Sequence, residues 1–262
     1  MMGASPRCQT GFADYLDLLR VFDEREAEAV IVGGQAVNFW AEVFEEEEPE
    51  LKQYRPFTSA DLDLHRPDLS ARRVLRARAG KVEAERDPFG KAFTIVSHTF
   101  LIQGKEGRVL AVDDLKTVPG LQPEEVKKGT VMVEFSDVRL RVLNPVACLI
   151  AKLHNVGVID QRGRQDEKHV RILIPCTRAF LRGLIAEAHR NGNCRPALNA
   201  LQQLLRWTSH SETMKAAHAH GFDLFQTVPL ADLKRSHLPK LINFVTKRLP
   251  GWQQLLGKAG DL

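Results

Sequence analysis

The sequence predicts an α/β (α+β) lobe, with a small mixed sheet and flanking helices, followed by an all-helical C-terminal lobe. Up to residue 143, short apolar and alternating segments are separated by glycine and polar turns, which is typical of strands mixed with helices. After Pro145 apolar residues recur at helical spacing almost to the end. A chain of 262 residues can hold one large or two smaller domains. We therefore predict lobes over 1–143 and 144–262, with a soft boundary.

The first elements surround a pair of glycines. An apolar run that ends in Gly33 and Gly34 indicates a strand turning sharply into a helix. The first N–H groups of that helix lack intrahelical partners and attract anions. These glycines therefore predict a phosphate site. The elements predicted here are a helix over 12–29, a strand over 29–33 and a helix over 35–46.

Two aspartates follow on the next predicted strand, over 60–65. Asp61 and Asp63 alternate with apolar residues, so a strand would put both carboxylates on one face. Such a pair is costly unless a cation neutralises it, and Mg²⁺ or Mn²⁺ accepts oxygen ligands of this kind. The pattern predicts a metal site beside the phosphate site.

The remaining elements are predicted from periodicity and turn residues. The acidic run over 45–50 is predicted to be a solvated helix end and loop. In the first lobe we predict a helix over 68–79, strands over 92–103 and 108–115, a short helix over 124–128, and hairpin strands over 130–135 and 138–143. In the second we predict helices over 145–156, 164–190, 196–208, 211–220 and 238–257.

These motifs together resemble a known family. A Gly-Gly turn that opens a helix, followed by a strand with Asp61 and Asp63 and a hydroxyl residue before it, resembles the nucleotidyltransferase fold of polymerase-beta-like enzymes. The segment 109–115 resembles the strand with the third acid, and 143–154 resembles the Pro-initiated helix that carries a lysine. The order of these motifs along the chain resembles that in the AbiEii-like branch of the family, whose members include toxins of toxin-antitoxin pairs. The resemblance covers roughly residues 28–170 and implies a catalytic lobe followed by a basic helical lobe.

The third carboxylate requires a choice between neighbours. Alternation puts Asp113 on one face of its strand and Asp114 on the other. The resemblance lays Asp113 on the acidic position, so Asp61, Asp63 and Asp113 are the predicted catalytic metal ligands. Asp114 and, further behind, Glu134 stay open as alternatives.

The resemblance also implies contacts to the nucleotide and the acceptor. Gly33, Gly34, Ser59 and Lys152 would bind the nucleoside triphosphate. Arg164 and Asp166 match a segment after the lysine helix and are candidate acceptor or phosphate contacts. The family's second acid in that segment is replaced here by His169, which puts any second acidic role in doubt. These candidates are residues 33, 34, 59, 61, 63, 113, 152, 164 and 166.

Composition excludes several classes of protein. Hydrophobic content of 44 % and charged content of 27 % are those of an ordinary globular protein. The sequence contains no apolar run near the roughly 18 residues that span a bilayer, and no apolar signal-peptide core follows Met1, so we expect a cytoplasmic protein without membrane contact. The four cysteines form no C-x-x-C pair, which favours free thiols. A dinucleotide-binding oxidoreductase is excluded because G-x-G-x-x-G is absent.

Charge is distributed unevenly. Residues 1–143 hold 20 Lys and Arg against 25 Asp and Glu, whereas residues 144–262 hold 17 against 8. A basic helical lobe beside an acidic one suits an RNA acceptor, although solvated basic helix faces are equally common.

The expected reaction is Mg²⁺-dependent transfer of a nucleoside monophosphate from a nucleoside triphosphate to an acceptor hydroxyl. The expected acceptor is RNA, such as a tRNA 3′ end, with a toxin role and an antitoxin partner implied by the resemblance. A protein or small-molecule acceptor fits the same residues. The alternative from another class is a non-catalytic nucleotide- or RNA-binding member of the fold.

Overall fold

The structure is a computed structural model that describes residues 8–84 and 95–258. The chain divides into two compact units. The first consists of Met1–Glu42 and Arg55–Cys148, and the second of Val43–Tyr54 and Leu149–Leu262. The division after Cys148 falls within the first turns of the helix that begins at Pro145, and the short segment 43–54 belongs with the C-terminal part.

The first unit is built on a seven-stranded mixed sheet. The strands are β1 (Val30–Val32), β2 (Leu62–His65), β3 (Ala79–Ala84), β4 (Val96–Gln103), β5 (Val109–Leu115), β6 (Thr130–Phe135) and β7 (Val138–Leu143). Their order in the sheet is β3-β4-β5-β2-β1-β7-β6. Strand β2 runs parallel to β5 and β1 runs parallel to β7, while the other neighbours are antiparallel. The predicted mixed sheet is confirmed. It is larger than expected, because β3 pairs with β4 at the edge although its sequence showed no strand pattern.

Four helices accompany the sheet in this unit. They are α1 (Leu16–Glu24, after a 3-10 turn over Phe12–Tyr15), α2 (Gly33–Phe44), α3 (Leu69–Arg78) and α4 (Pro123–Gly129). Helix α1 ends before the predicted residue 29, because Glu26 has a positive φ of 50°. Helix α3 begins where Asp68 caps it by accepting a 2.6 Å hydrogen bond from the Ala71 amide.

The hairpin between β6 and β7 has the predicted strands. Ser136 and Asp137 both adopt positive φ, of 49° and 61°, as the two central residues of a tight primed turn do. Glu134 pairs in register with Arg139 on this hairpin. The hairpin forms the end of the sheet opposite β3.

From Pro145 to Lys258 the described elements are helices. They are α5 (Pro145–Val158), α6 (Asp166–Asn191), α7 (Arg195–Thr208), α8 (Ser211–Ala219), α9 (Leu230–Arg235), α10 (Pro239–Lys247) and α11 (Leu249–Lys258), with a 3-10 turn over Leu224–Thr227. A further 3-10 turn, over Pro49–Tyr54, lies in the segment 43–54 of the second unit. The single helix predicted over 238–257 is two helices. The break precedes Pro250, which has no N–H to continue the hydrogen-bond ladder of α10.

The acidic run over 45–50 is only partly solvated as we predicted: residues 46, 47, 49 and 50 are exposed, whereas 45 and 48 are buried. Glu48 is only 5 % exposed and lies in the second unit, where it accepts hydrogen bonds from Arg178 at 2.5 Å and Arg182 at 2.6 Å. Glu50 also accepts from Arg178. The arginines that pair with these glutamates lie more than a hundred residues further along the chain, so the local charge pattern could not predict these ion pairs.

The cysteines match the prediction of free thiols: none of Cys8, Cys148, Cys176 and Cys194 forms a disulfide, and the last three are buried while Cys8 is exposed. Among residues 8–84 and 95–258, no helix is both long and apolar enough to cross a membrane.

Candidate active site

Asp63 and Asp113 lie side by side on neighbouring strands. Strands β2 and β5 are parallel with Asp63 in register with Asp113, so both side chains leave the sheet on the same face. The next strand, β4, places Thr99 in register with Asp113, and the Thr99 hydroxyl donates a 2.5 Å hydrogen bond to its Oδ1. Asp113 is 5 % exposed, so this hydroxyl satisfies a carboxylate with little access to water.

Asp61 lies just outside the strand on which we predicted it. Strand β2 begins at Leu62, so Asp61 precedes the ladder and Asp63 is its second residue. Burial raises the pKa of the Tyr15 phenol well above its ordinary value, and the negative charges of Asp61 and Asp63 add to that rise.

Gly33 is the point where the acids meet the helix. Its φ of +65° is in the left-handed region, and a Cβ added here would lie 1.8 Å from Asp63 Oδ2. The Asp63 carboxylate thus packs directly over the first residue of α2. Gly34 is buried in the first turn of the same helix. The Gly-Gly turn and the acidic strand are brought together as the sequence predicted, with helix α2 starting at the glycine itself.

Asp114 belongs to the opposite face of the sheet. It is 1 % exposed and accepts a 2.9 Å hydrogen bond from Arg72 Nε of α3, with His98 Nδ1 at 4.0 Å. Strand alternation and this ion pair separate Asp114 from Asp63 and Asp113. Glu134 is exposed on β6, which β1 and β7 separate from β2. Of the three candidates for the third acid, Asp113 alone is the neighbour of Asp63 on its face.

The donor set fits a hard divalent cation in its chemistry. Carboxylates, with a hydroxyl beside them, are oxygen ligands of the type that Mg²⁺ takes. The described parts of the chain contain no group of three or more His, Cys, Asp or Glu side chains that closes on one point as a metal site. The convergence of all three predicted acids is thus only partly formed. Mutual repulsion opposes the closure of three carboxylates unless a cation neutralises them.

Ser59 is held by an isolated β-bridge rather than exposed toward a ligand. It is 8 % exposed, and its backbone exchanges hydrogen bonds of 2.9 and 2.8 Å with Thr10. This bridge fixes the chain two residues before Asp61. The predicted nucleotide contact of Ser59 stays a prediction.

Lys152, Arg164 and Asp166 form an ion-paired group in the second unit. Asp166 Oδ1 accepts from Lys152 Nζ at 2.7 Å and Oδ2 accepts from Arg164 Nε at 2.7 Å. Burial would raise the pKa of Asp166, but the two cations outweigh it and lower that pKa to about 2. The proposed contacts of these residues with nucleotide or acceptor stay predictions, since each side chain has a partner within its own unit.

His169, where the family has an acid, is buried next to this group. Neither ring nitrogen has a hydrogen-bond partner among the described residues. Burial lowers its pKa well below the ordinary value, and the charge of Lys152 lowers it further. The ring is therefore neutral at pH 7 and cannot supply the charge of a second acid.

The arginines of α6 are engaged inside the second unit. Arg178 and Arg182 bind Glu48, and Arg171 donates to the His220 carbonyl at 2.9 Å while its guanidinium stacks on Phe222. The excess of positive charge in the C-terminal sequence therefore does not translate directly into a free basic surface.

Three residues near the candidate site, Thr10, Tyr15 and Thr99, were not predicted from the sequence. Strand pairing brings Thr99 to Asp113, and a bridge across 49 residues brings Thr10 to Ser59. No local motif surrounds either threonine. Only a register prediction for β4 against β5 could have found the first of them.

Comparisons with known proteins return little for this chain. None of the protein-family models matches it, and it has no match among curated proteins. Among solved structures it is similar to an antigenic nucleotidyltransferase-like protein from Paracoccidioides brasiliensis, with 14 % identity over 76 % of this chain and 90 % of that one, at a TM-score of 0.40. So low a TM-score leaves any functional assignment to the residues of the site.

Proposed function

We propose that the protein is a divalent-cation-dependent nucleotidyltransferase that moves a nucleoside monophosphate from a nucleoside triphosphate to an acceptor hydroxyl. The observation that carries this proposal is the placement of Asp63. It is in register with Asp113 on one face of the sheet, and its carboxylate lies against Gly33 at the start of α2. Acidic oxygens for a cation and unsatisfied helix N–H groups for phosphates thus meet at one place.

In the proposed reaction, the acceptor oxygen attacks the α-phosphorus of the nucleotide. A P–O bond to the acceptor forms, the bond from the α-phosphorus to the bridging oxygen breaks, and pyrophosphate leaves as the hydroxyl proton is lost. Mg²⁺ held by Asp61, Asp63 and Asp113 would neutralise the phosphates and lower the pKa of the acceptor hydroxyl.

The chain's own groups would orient the reactants. The first turn of α2 offers backbone N–H groups to the departing phosphates, and the glycines leave the backbone open to close approach. The Thr99 hydroxyl holds the Asp113 carboxylate in one orientation. Such preorganisation reduces the entropy that must be lost before reaction.

The test follows the two ends of the nucleotide separately. The purified protein is incubated with Mg²⁺, total RNA and each nucleoside triphosphate, labelled on the α-phosphate or on the γ-phosphate. We expect α-label in an acceptor and γ-label in pyrophosphate, with both lost when EDTA removes the cation. Nucleotide that binds without being consumed would instead indicate a non-catalytic binding protein.

We further propose RNA as the acceptor, and the structure changes which arginines should contact it. The α6 arginines are paired, but Arg73 and Arg76 are exposed on one face of α3 and form no ion pair with the rest of the described chain. Exposed cations three residues apart on a helix are suited to neighbouring phosphates. Arg72 of the same helix binds Asp114 on the face of the sheet opposite Asp63 and Asp113, so we propose Arg73 and Arg76 as contacts to the body of an RNA and not to its reacting end.

Charge reversal at Arg73 and Arg76 distinguishes a specific contact with RNA from an effect of the protein's overall charge. We expect Arg73→Glu/Arg76→Glu to weaken RNA binding and to reduce the slope of log affinity against log salt by about 1 to 2, with nucleotide affinity unchanged. The matched control is Lys240→Glu/Lys247→Glu, which makes the same change in charge on exposed residues of α10. Equal losses in both variants, measured by fluorescence anisotropy, would reduce the effect to overall charge. No RNA binding in the wild type would favour a protein or small-molecule acceptor.

The toxin role and an antitoxin partner rest on the family resemblance of the motifs. They are proposed only as the biological setting of the transfer reaction. Growth arrest on expression would support that setting, while its absence would leave the transferase proposal standing.

A further inference from the structure

A buried group of polar side chains lies behind the candidate site, within the first unit. Its members are Thr10, Tyr15, Gln35 and Asn38, which are at most 1 % exposed. Buried polar groups are costly unless they are hydrogen-bonded, so a connected set of this size needs a structural or functional reason.

Thr10 is the centre of this group. Its backbone exchanges two hydrogen bonds with Ser59, and its hydroxyl donates a third to the Ser59 carbonyl at 3.0 Å. Three bonds to a single residue fix the chain two residues before Asp61. Thr10 thereby controls where the segment that carries Asp61 enters the sheet.

Tyr15 connects this point to the strand of the third acid. Its hydroxyl lies 3.0 Å from Thr10 Oγ1 and 3.2 Å from the carbonyl of Ala111, which is two residues before Asp113 on β5. The single phenolic proton has these two acceptors. One ring therefore spans the gap between the segment of Asp61 and the strand of Asp113.

Gln35 adds the helix of the Gly-Gly turn. Its Nε2 donates to the Thr10 carbonyl at 2.9 Å, and its Oε1 accepts from Asn38 Nδ2 at 3.1 Å. The second of these bonds holds the Gln35 amide in one orientation. Helix α2, which begins at Gly33, is thereby tied to the same threonine.

We propose that Thr10 and Tyr15 are positioning residues that set the separation of the three segments carrying Asp61, Asp113 and Gly33. This inference rests on the proposed function for its consequence in catalysis. Its structural content is that one threonine and one tyrosine join all three segments by hydrogen bonds. Partners behind a metal ligand set typically contribute about 10- to 100-fold to metal affinity or activity.

The variants remove hydroxyl groups and keep shape. Thr10→Val and Tyr15→Phe each break the shared bond, whereas Thr10→Ser keeps the hydroxyl. Matched controls are Thr227→Val, which loses an equally buried hydroxyl bonded to the Leu224 carbonyl at 2.7 Å, and Tyr54→Phe at the other tyrosine of the chain. Both controls lie in the second unit.

The readouts are Mn²⁺ affinity by titration calorimetry, kcat and KM for nucleotide transfer, and thermal unfolding. We expect Thr10→Val and Tyr15→Phe to lower Mn²⁺ affinity and kcat by about 10- to 100-fold, with a smaller change in KM. Thr10→Ser should restore most of the loss. The double variant should lose less than the product of the two single losses, because both remove the same contact.

Failure of this inference and failure of the proposed function give different results. If the wild type transfers nucleotide and the two variants match the controls, the positioning role is wrong and the transferase stands. If the wild type binds Mn²⁺ without transferring nucleotide and the variants bind Mn²⁺ more weakly, the positioning role is supported and the proposed transferase function is contradicted. A wild type that neither binds Mn²⁺ nor transfers nucleotide contradicts both. If Thr10→Val does not fold, the same comparison is made with Tyr15→Phe, which should lose Mn²⁺ affinity and kcat, and with Thr10→Ser, which should keep most of both.

Discussion

Asp63→Asn should abolish nucleotide transfer while leaving the protein folded. The substitution removes one negative charge at the centre of the acidic group and keeps the shape of the side chain. A cation supplies several kcal/mol of transition-state stabilisation, so its loss should cost about 10³-fold or more in kcat/KM. Unfolding without added cation should occur at the same or a slightly higher temperature, because fewer like charges then face each other.

The measurements are initial rates of transfer and thermal unfolding with and without Mg²⁺. Wild type should gain stability with cation concentration, and Asp63→Asn should gain much less, because only a bound ligand shifts the folding equilibrium. The control is Asp114→Asn, which weakens the contact with Arg72 on the opposite face. It should cost about 1 to 3 kcal/mol of stability and leave the cation-dependent gain intact. Wild-type activity in Asp63→Asn would contradict the assignment of Asp63 as a catalytic metal ligand.

Gly33→Ala should have a second large effect, through geometry instead of charge. The added methyl carbon would stand 1.8 Å from Asp63 Oδ2, with a φ of +65° that an alanine adopts only with strain. The left-handed conformation alone costs about 1 to 2 kcal/mol. Displacement of the Asp63 carboxylate adds to this cost and moves a predicted cation ligand, so we expect loss of both stability and transfer.

Two further variants separate strain from displacement. Gly192→Ala has a φ of +74° with no atom within 4 Å of the new carbon, so it should show the backbone cost alone and normal transfer. In Gly33→Ala/Asp63→Ala the nearest remaining Asp63 carbon would be 3.0 Å away, so much of the lost stability should return. Chemical denaturation of the four proteins measures both effects. Equal stability losses at Gly33 and Gly192 would contradict the close packing of Asp63 on the glycine.

Local patterns predicted much of the fold. An apolar run identified β1, and periodicity and turn residues identified β5 and the hairpin of β6 and β7. These signals survive because each depends on neighbours in sequence. The predictions that missed were set by distant partners or by single backbone positions: β3 exists because β4 pairs with it, and α1 stops at a positive φ of Glu26.

The candidate site shows the same division. The sequence by itself determined that glycines precede a helix, that Asp61 and Asp63 share one periodicity, and that Asp113 and Asp114 must point to opposite faces, because alternation is a property of any strand. Only the tertiary structure decided that β2 and β5 are parallel neighbours in the register that joins Asp63 to Asp113, and that Arg72 takes Asp114. It also decided that Glu48 engages the arginines of α6 and that Thr10 meets Ser59. Register and ion pairing link residues far apart in the chain, and their energies depend on distance in space, which periodicity along a sequence does not encode.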